Sequence, residues 1–588
     1  MTGAIATIWQ EGTGDLVLIG IAVLGLAVLA AVILLGSKDR SAIVRNTWTV
    51  ARHTFSQCLR TKVAAVFGIM LAVSLALLPW AMEGDGTLAG RIRTFLDYST
   101  TVTSVLLSLI VIFLSVAMVS GDIRDRHVYL VCTKPLGRWH YIVGRWLGVV
   151  LLSAVLLAAS AATVYVLAQY LRSRSDLVVN PEDRRTVETE VFAARAEVLP
   201  DPPDVTAVVA ERVKAKKRDG SWDGAIESYR MQYQLDANAA GQRLLAEMAK
   251  NAMAEAQSIG PGRSLAWDFS GARVTGSKHA GRGRVRAVSR AVGLVAIETD
   301  PDLATRLIIY GPVQVNGVTG RVIGRWKTGF RATFHLEDMK TQGMVDLRRG
   351  SEVNVVVEPT IMISYKVTPG GPGGGRAYRA AWKVENPTTG FVYDEPLREV
   401  PMNTRVTLVA PARVADGEGR LRARYINYSA ASVIVDHRDV AVLYRVGSFE
   451  ANFLKTIALM LMGLMFLAAL GTWAGSFVSF PVGCVVCFGT LPFTVLHRFV
   501  EEAIEMIRLS GEQPIWYNRY SQGVLVAMQV LLPDLLSTLG TDFVRDGLVI
   551  PWLYLAKNAA VTVALRAAAL LALACLIFSR RELARVQV

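Results

Sequence analysis

Two hydrophobic patterns share this chain: near both ends lie long uninterrupted apolar runs, whereas in the middle apolar and polar residues interleave as they do in a water-exposed fold. A bilayer core about 30 Å thick takes roughly 20 apolar residues in a helix. Runs of that kind occupy residues 16–35, 63–82, 100–119 and 141–171, then 453–471, 474–496 and 551–578. The pattern therefore predicts about seven transmembrane helices. A further apolar stretch at 523–539 is broken by Pro533 and Asp534 and reads as an interfacial or re-entrant helix. Between the first two apolar runs, Val44, Trp48, Ala51, Phe55 and Leu59 recur at helical spacing, which predicts an amphipathic helix over 41–60 resting in the headgroup layer.

The middle region, 172–450, has its own two parts. Over 181–258 the broken stripe Ile226, Tyr229, Tyr233, Leu244, Leu245, Met248 and Met253 predicts a helical arm. Over 264–448 short β-branched and aromatic runs are separated by turn residues; Leu421, Ala423 and Tyr425 alternate with Arg420, Arg422 and Arg424 as on a half-exposed strand. This spacing predicts a β-sandwich or jelly roll. The expected fold is a polytopic α-helical membrane protein with an inserted extracytoplasmic α+β domain. Its parts are an extra N-terminal helix (1–36), a first membrane half (37–171), the inserted domain (172–450) and a second membrane half (451–588).

Charge sets the expected orientation. Fourteen Lys and Arg residues lie in 37–62, 122–145 and 580–588, while the opposite side has only Arg91 and Arg93 in its short loop. Positive charge gathers on the cytoplasmic side, so the N-terminus and 172–450 are expected outside the cytoplasm and the C-terminus inside, in a multi-pass protein of the cytoplasmic (inner) membrane. The net charge of +14 thus has a membrane cause rather than a nucleic-acid partner. Cys58, Cys132, Cys484, Cys487 and Cys575 all fall outside 172–450, so no disulfide braces that domain.

The stretch from Gly121 to Gly148 begins charged, passes through the apolar run Val128, Tyr129, Leu130 and Val131, breaks at Lys134 and Pro135, and resumes at Arg138 and Trp139 to meet the next span. It resembles the coupling segment (here 121–140) of ABC-2 type permeases, in the branch of the nitrous-oxide reductase maturation and gliding-motility permeases. Asp122, Val128 to Val131, Lys134, Pro135, Arg138, Gly144, Arg145 and Gly148 carry the likeness. Phe55 and Arg60, the hairpin through Trp473, Ser476, Ser479, Phe480 and Pro481, and the ending Phe578, Arg580, Arg581, Glu582 and Leu583 are similar to other parts of that family. The chain lacks a Gly-x-x-x-x-Gly-Lys-[Ser/Thr] loop and an LSGGQ-like signature. The resemblance therefore implies a non-enzymatic permease subunit with no cofactor of its own, ATP and Mg being held by a separate ATP-binding subunit. It also implies a homodimer or heterodimer of permeases in the lipid bilayer, handling an envelope or lipid-linked substrate.

Two other classes remain open from the residues alone: mechanical signalling to an envelope protein without transport, and an ATP-independent membrane-anchored receptor. A hydrolase would need His335 with Glu337 and Asp338, or Asp436, His437 and Asp439, to share a cleft; their alternation reads as the wet face of strands. Arg566 lies inside the last apolar run, where a cation points into a bundle or snorkels to the surface. Cys484 and Cys487 have CxxC spacing within an apolar span and read as packing residues rather than metal ligands. Lys278, Arg282, Arg284, Arg286 and Arg290 read as a basic, glycine-containing surface loop. A reporter enzyme that is active only outside the cytoplasm is expected to be active when fused after residue 220 and silent after residue 126; the reverse pattern would invert the topology.

Overall fold

A computed structural model describes residues 40–82, 86–126, 137–173, 181–201, 203–233, 237–272, 279–310, 313–325, 331–336, 347–370, 377–495 and 541–580. The expected span at 16–35, the stretch 523–539, and Val128 to Val131, Lys134 and Pro135 lie outside the described residues.

The helices before the β region are α1 (Arg40–Leu59), α2 (Lys62–Ala81), α3 (Leu88–Arg124), α4 (Arg138–Ser173) and α5 (Pro181–Thr186), the last continuing as a π-helical turn, Val187–Val191. Both α3 (37 residues) and α4 (36 residues) are far longer than one span, reaching about 55 Å. The start of α3 is closed by its own Thr87 and by a distant residue: Asp183 of α5 accepts from Leu88 N (2.7 Å) and Ala89 N (3.0 Å). A carboxylate at a helix N-terminus satisfies orphan amides and meets the positive end of the dipole. It also pins the chain leaving α4 onto α3.

The arm is α6 (Thr206–Arg218), α7 (Ser221–Tyr233) and α8 (Ala237–Gln257), so it begins later than residue 181. Residues 181–198 form instead a link that ends in strand β1 (Ala193–Val198). The strands that follow are β2 (Ser258–Ile259), β3 (Ser264–Phe269), β4 (His279–Ser289) and β5 (Leu294–Thr299); after helix α9 (Pro301–Tyr310) come β6 (Val313–Val315), β7 (Val318–Arg325), β8 (Arg331–Leu336) and β9 (Glu352–Val357). Next are β10 (Thr360–Lys366), β11 (Thr368–Pro369), β12 (Ala377–Glu385), β13 (Val392–Pro401), β14 (Arg405–Pro411), β15 (Leu421–Asn427), β16 (Val433–Ile434) and β17 (Ala441–Ser448).

These strands build two bodies where the sequence suggested one. Sheets β1-β17-β10-β14 and β13-β12-β15-β3 face each other as a sandwich, with a small third sheet β11-β16-β2. Its core is aromatic: Trp382 meets Tyr365 at 4.8 Å and Tyr425 at 5.3 Å between ring centroids. The second body is a closed barrel in the order β4-β5-β8-β7-β6-β9, filled by Val285, Val295, Ile297, Phe334, Val353 and Val355. Of the basic residues expected in a loop, Arg282, Arg284 and Arg286 lie on the exposed face of β4, Arg290 follows it, and Lys278 lies outside the described residues. Glycine explains the misreading. A Cβ on Gly281 would fall 2.4 Å from a Leu303 methyl and one on Gly283 2.5 Å from an Ile297 methyl, so these glycines mark close packing inside the barrel rather than a turn.

After β17 the chain enters α10 (Phe449–Gly475), then α11 (Phe480–Val495), α12 (Thr541–Arg545), α13 (Trp552–Asn558), a nine-residue π-helical stretch (Ala559–Ala567) and α14 (Ala568–Arg580). Among the described residues five segments are long and apolar enough to cross a membrane: α2, α3, α4, α10 and the continuous run Trp552–Arg580. The hairpin partner α11 is apolar but shorter.

Bundle and β region meet at one seam. β1 pairs antiparallel with β17, which runs straight into α10. The link back to the last span docks there: Arg195 donates to Asp546 O (2.6 Å), Val549 N to Arg195 O (2.8 Å), Asn452 Nδ2 to Leu548 O (2.7 Å), and Ile550 N to Asn452 Oδ1 (2.9 Å). Phe192 packs on Phe449 at 4.8 Å. Trp382→Ala is expected to cost the sandwich about 3–5 kcal/mol, seen as a lowered near-ultraviolet dichroism midpoint while the far-ultraviolet helix signal of the bundle persists.

Candidate functional site

At the end of the bundle far from the β region, the motif residues that the structure describes come together. Asp122 lies in the last turn of α3 and Arg145 two turns into α4, and both are only 5% exposed. Arg145 Nη2 donates to Asp122 Oδ2, which also accepts from Tyr141 OH (2.5 Å). Arg145 Nη1 reaches α1, donating to Gln57 Oε1 (2.6 Å) and Thr54 Oγ1 (3.3 Å). Its guanidinium lies 5.3 Å from the Tyr141 ring centre. One buried ion pair thus ties three helices.

Sequence dictates why α1 can come so close. A Cβ on Gly144 would lie 2.6 Å from Val50 Cβ, and one on Gly148 would lie 2.5 Å from Thr54 Cβ and 2.7 Å from Ala51 O. On α1 the facing residues are small: Ala51, Thr54 and Cys58 are fully buried. Trp48 and Leu59, from the apolar stripe expected to face the headgroup layer, are each 53% exposed, and α1 is held by its small residues against α4. Close backbone approach through small residues is how helices associate where the surrounding solvent is apolar.

The last span joins the same cluster. Phe578 stacks on Tyr141 at 5.4 Å, and Arg138 donates to Ser579 O (2.5 Å) while its side chain remains exposed. Trp139 stacks on His140 at 3.7 Å. Trp146 Nε1 donates to Met465 O (3.0 Å), fixing α4 to α10. Asp122, Arg138, Trp139, Gly144 and Arg145 therefore share one locale. Thr54, Gln57 and Tyr141 belong to it as well and were not singled out from the sequence. Their signal was present: Tyr141 and Arg145 are one helical turn apart, and Thr54 and Gln57 fall on one face of α1.

Arg566 is not part of this group. It sits midway along Trp552–Arg580, inside the π-helical stretch, twelve residues before Phe578 and hence about 18 Å away along the helix. π-Helical turns are uncommon and recur at functional positions. Of the other candidates, His335 lies on the exposed face of β8, and Asp436 accepts from Arg438 N (3.0 Å) and pairs with His437 Nδ1 (2.9 Å), beside Gln257. Glu337 and Asp338 lie outside the described residues. Cys484 and Cys487 are buried in α11. Among the described residues no group of His, Cys, Asp and Glu is arranged to hold a metal.

A buried ion pair with further hydrogen bonds has one low-energy geometry, because stripping either charge of its partner leaves it stranded in a poor solvent. The arrangement suits a rigid joint rather than chemistry on a substrate. Compared with known protein families, curated proteins and solved structures, the chain matches none. Arg145→Met alone is expected to cost about 3–5 kcal/mol of stability, and the double change Asp122→Leu with Arg145→Met markedly less. Detergent-stable thermal unfolding of the four cycle members checks this; equal losses in single and double variants would contradict it.

Proposed function

We propose that the chain is the membrane-spanning subunit of an ATP-driven ABC-2 type transporter, working as a dimer with a separate ATP-binding subunit. The observation that carries this reading is the convergence of Asp122, Arg138, Gly144, Arg145 and Gly148 at the bundle end opposite the β region. These are the residues on which the resemblance rests. Positive charge supports the same end as cytoplasmic: Arg45, Arg52, Arg60, Lys62, Arg124, Arg126, Arg138 and Arg580 all lie on α1 or at helix termini there.

In this mechanism nucleotide closes the partner subunits against the segment 121–140. The exposed Arg138 and the neighbouring Trp139 receive that movement, and the Asp122–Arg145 pair makes α1, α3 and α4 respond as one unit. Being about 55 Å long, α3 and α4 carry the displacement across the bilayer to Asp183, the π-helical link and the sandwich. The handled substrate is an envelope component, lipid-linked or hydrophobic, met on the outer side.

A second reading, mechanical signalling to an envelope protein with nothing crossing the membrane, is favoured by the seam. There the link from α4, the start of α3, β1, β17 and α10 are joined by hydrogen bonds at one place, so force from two spans enters one sheet. Transport of a labelled lipid-linked substrate in vesicles separates the two.

Arg138→Glu with Trp139→Ala is expected to abolish co-purification of the ATP-binding subunit and the stimulation of its hydrolysis, with the thermal midpoint of the membrane subunit unchanged. Association and stimulation that survive both changes would contradict the coupling role.

A further inference from the structure

Where the barrel, the sandwich and the π-helical link meet, they enclose a half-open cleft of about 160 Å³. Its walls carry Arg185, Thr186 and Thr189 from the link, Arg321 from β7, and Arg398 and Thr407 from the sandwich. Two carboxylates face it, and each already has guanidinium partners. Glu395 accepts from Arg321 at 2.6 and 3.2 Å and lies 4.0 Å from Arg398; Glu190 accepts from Arg93 at 2.6 Å and lies 3.9 Å from Arg195. Three guanidiniums, of Arg185, Arg321 and Arg398, and two carboxylates therefore line the cleft.

We infer that this cleft binds a phosphate group, held by Arg185, Arg321 and Arg398 with Thr407 as a hydroxyl donor. Each guanidinium has five N–H donors, so one that already serves a carboxylate keeps donors for a second anion. Guanidiniums arriving from three separate elements match the spread of oxygens on a tetrahedral oxyanion better than the single plane of a carboxylate. At about 160 Å³ and open on one side, the cleft has room for a phosphate group. Because the three walls belong to separate bodies, a bound phosphate bridges the barrel to the link that caps α3 and holds the two together.

The cleft adjoins Arg93 and Glu190, at the β-facing end of α3. Both a free phosphate and the phosphate of a lipid headgroup can reach it. The inference stands independently of the coupling role proposed above.

Isothermal titration of the full chain, delipidated in detergent and checked by native mass spectrometry, tests it with inorganic phosphate against chloride at equal ionic strength. Saturable phosphate binding is expected, weakened roughly tenfold or more by Arg398→Gln and measurably by Thr407→Val. Both side chains are partly exposed, and unchanged circular-dichroism melting confirms folded variants. The same titration in nanodiscs containing phosphatidylglycerol identifies the source: phosphate binding that disappears there assigns the site to a lipid headgroup, and binding that persists assigns it to free phosphate. Absence of saturable binding to the delipidated chain, or binding that both variants leave unchanged, overturns the inference.

Discussion

Burying two opposite charges at the end of a helical bundle is the constraint on which this structure turns. Asp122 and Arg145 are both out of water, and neither is tolerable there without the other. Their pairing fixes the rotation of α4 against α3, and Nη1 of Arg145 fixes α1. Gly144 and Gly148 follow as a requirement, since side chains at those positions would push α1 out of reach of the guanidinium. Phe578 then packs on the Tyr141 ring, so the last span is located by the same group of atoms.

The opposite end of the bundle is organised by backbone rather than by charge. Asp183 caps α3 from outside its own helix, β1 and β17 pair beside the start of α10, and the strand-like residues 548–550 hydrogen-bond to Arg195 and Asn452. Between these two joints run α3 and α4, each about 55 Å long. In the proposed mechanism a shift at one end is passed to the other, where the sandwich is continuous with α10 through β17. The barrel is clasped to the sandwich through Arg321 to Glu395 and Arg413 to Thr319 (2.6 Å), and its helix α9 packs on α5. A clasp made of polar pairs is more readily rearranged than a packed apolar core.

Much of this was legible in sequence because the strongest signals are local. Apolar runs gave α2, α3, α4, α10 and the last span, and β-branched and aromatic runs between turn residues gave β9, β10, β12, β14, β15 and β17. What failed depends on contacts distant in sequence. Nothing local distinguishes a strand that closes a barrel from a basic loop when glycine alternates with arginine, as at Gly281 to Arg284; only Leu303 and Ile297 make those glycines necessary. The small-residue contact of α1 stayed hidden for a similar reason: large apolar residues dominate a periodicity count, whereas the glycines of α4 are met by Ala51 and Thr54. Asp122, Arg145 and the two glycines could be read as a motif, whereas Gln57 and Tyr141 became partners only once three helices were brought together.

The central claim is that the Asp122–Arg145 end of the bundle faces the cytoplasm and takes up an energy-supplying partner. Photocrosslinking in intact cells, with the reactive residue placed in turn at Arg60 beside that end and at Asp219 on the arm, tests it most directly. The account predicts an adduct with an ATP-binding protein from position 60 and none from position 219. Capture of such a protein from position 219, or from neither position, would contradict it.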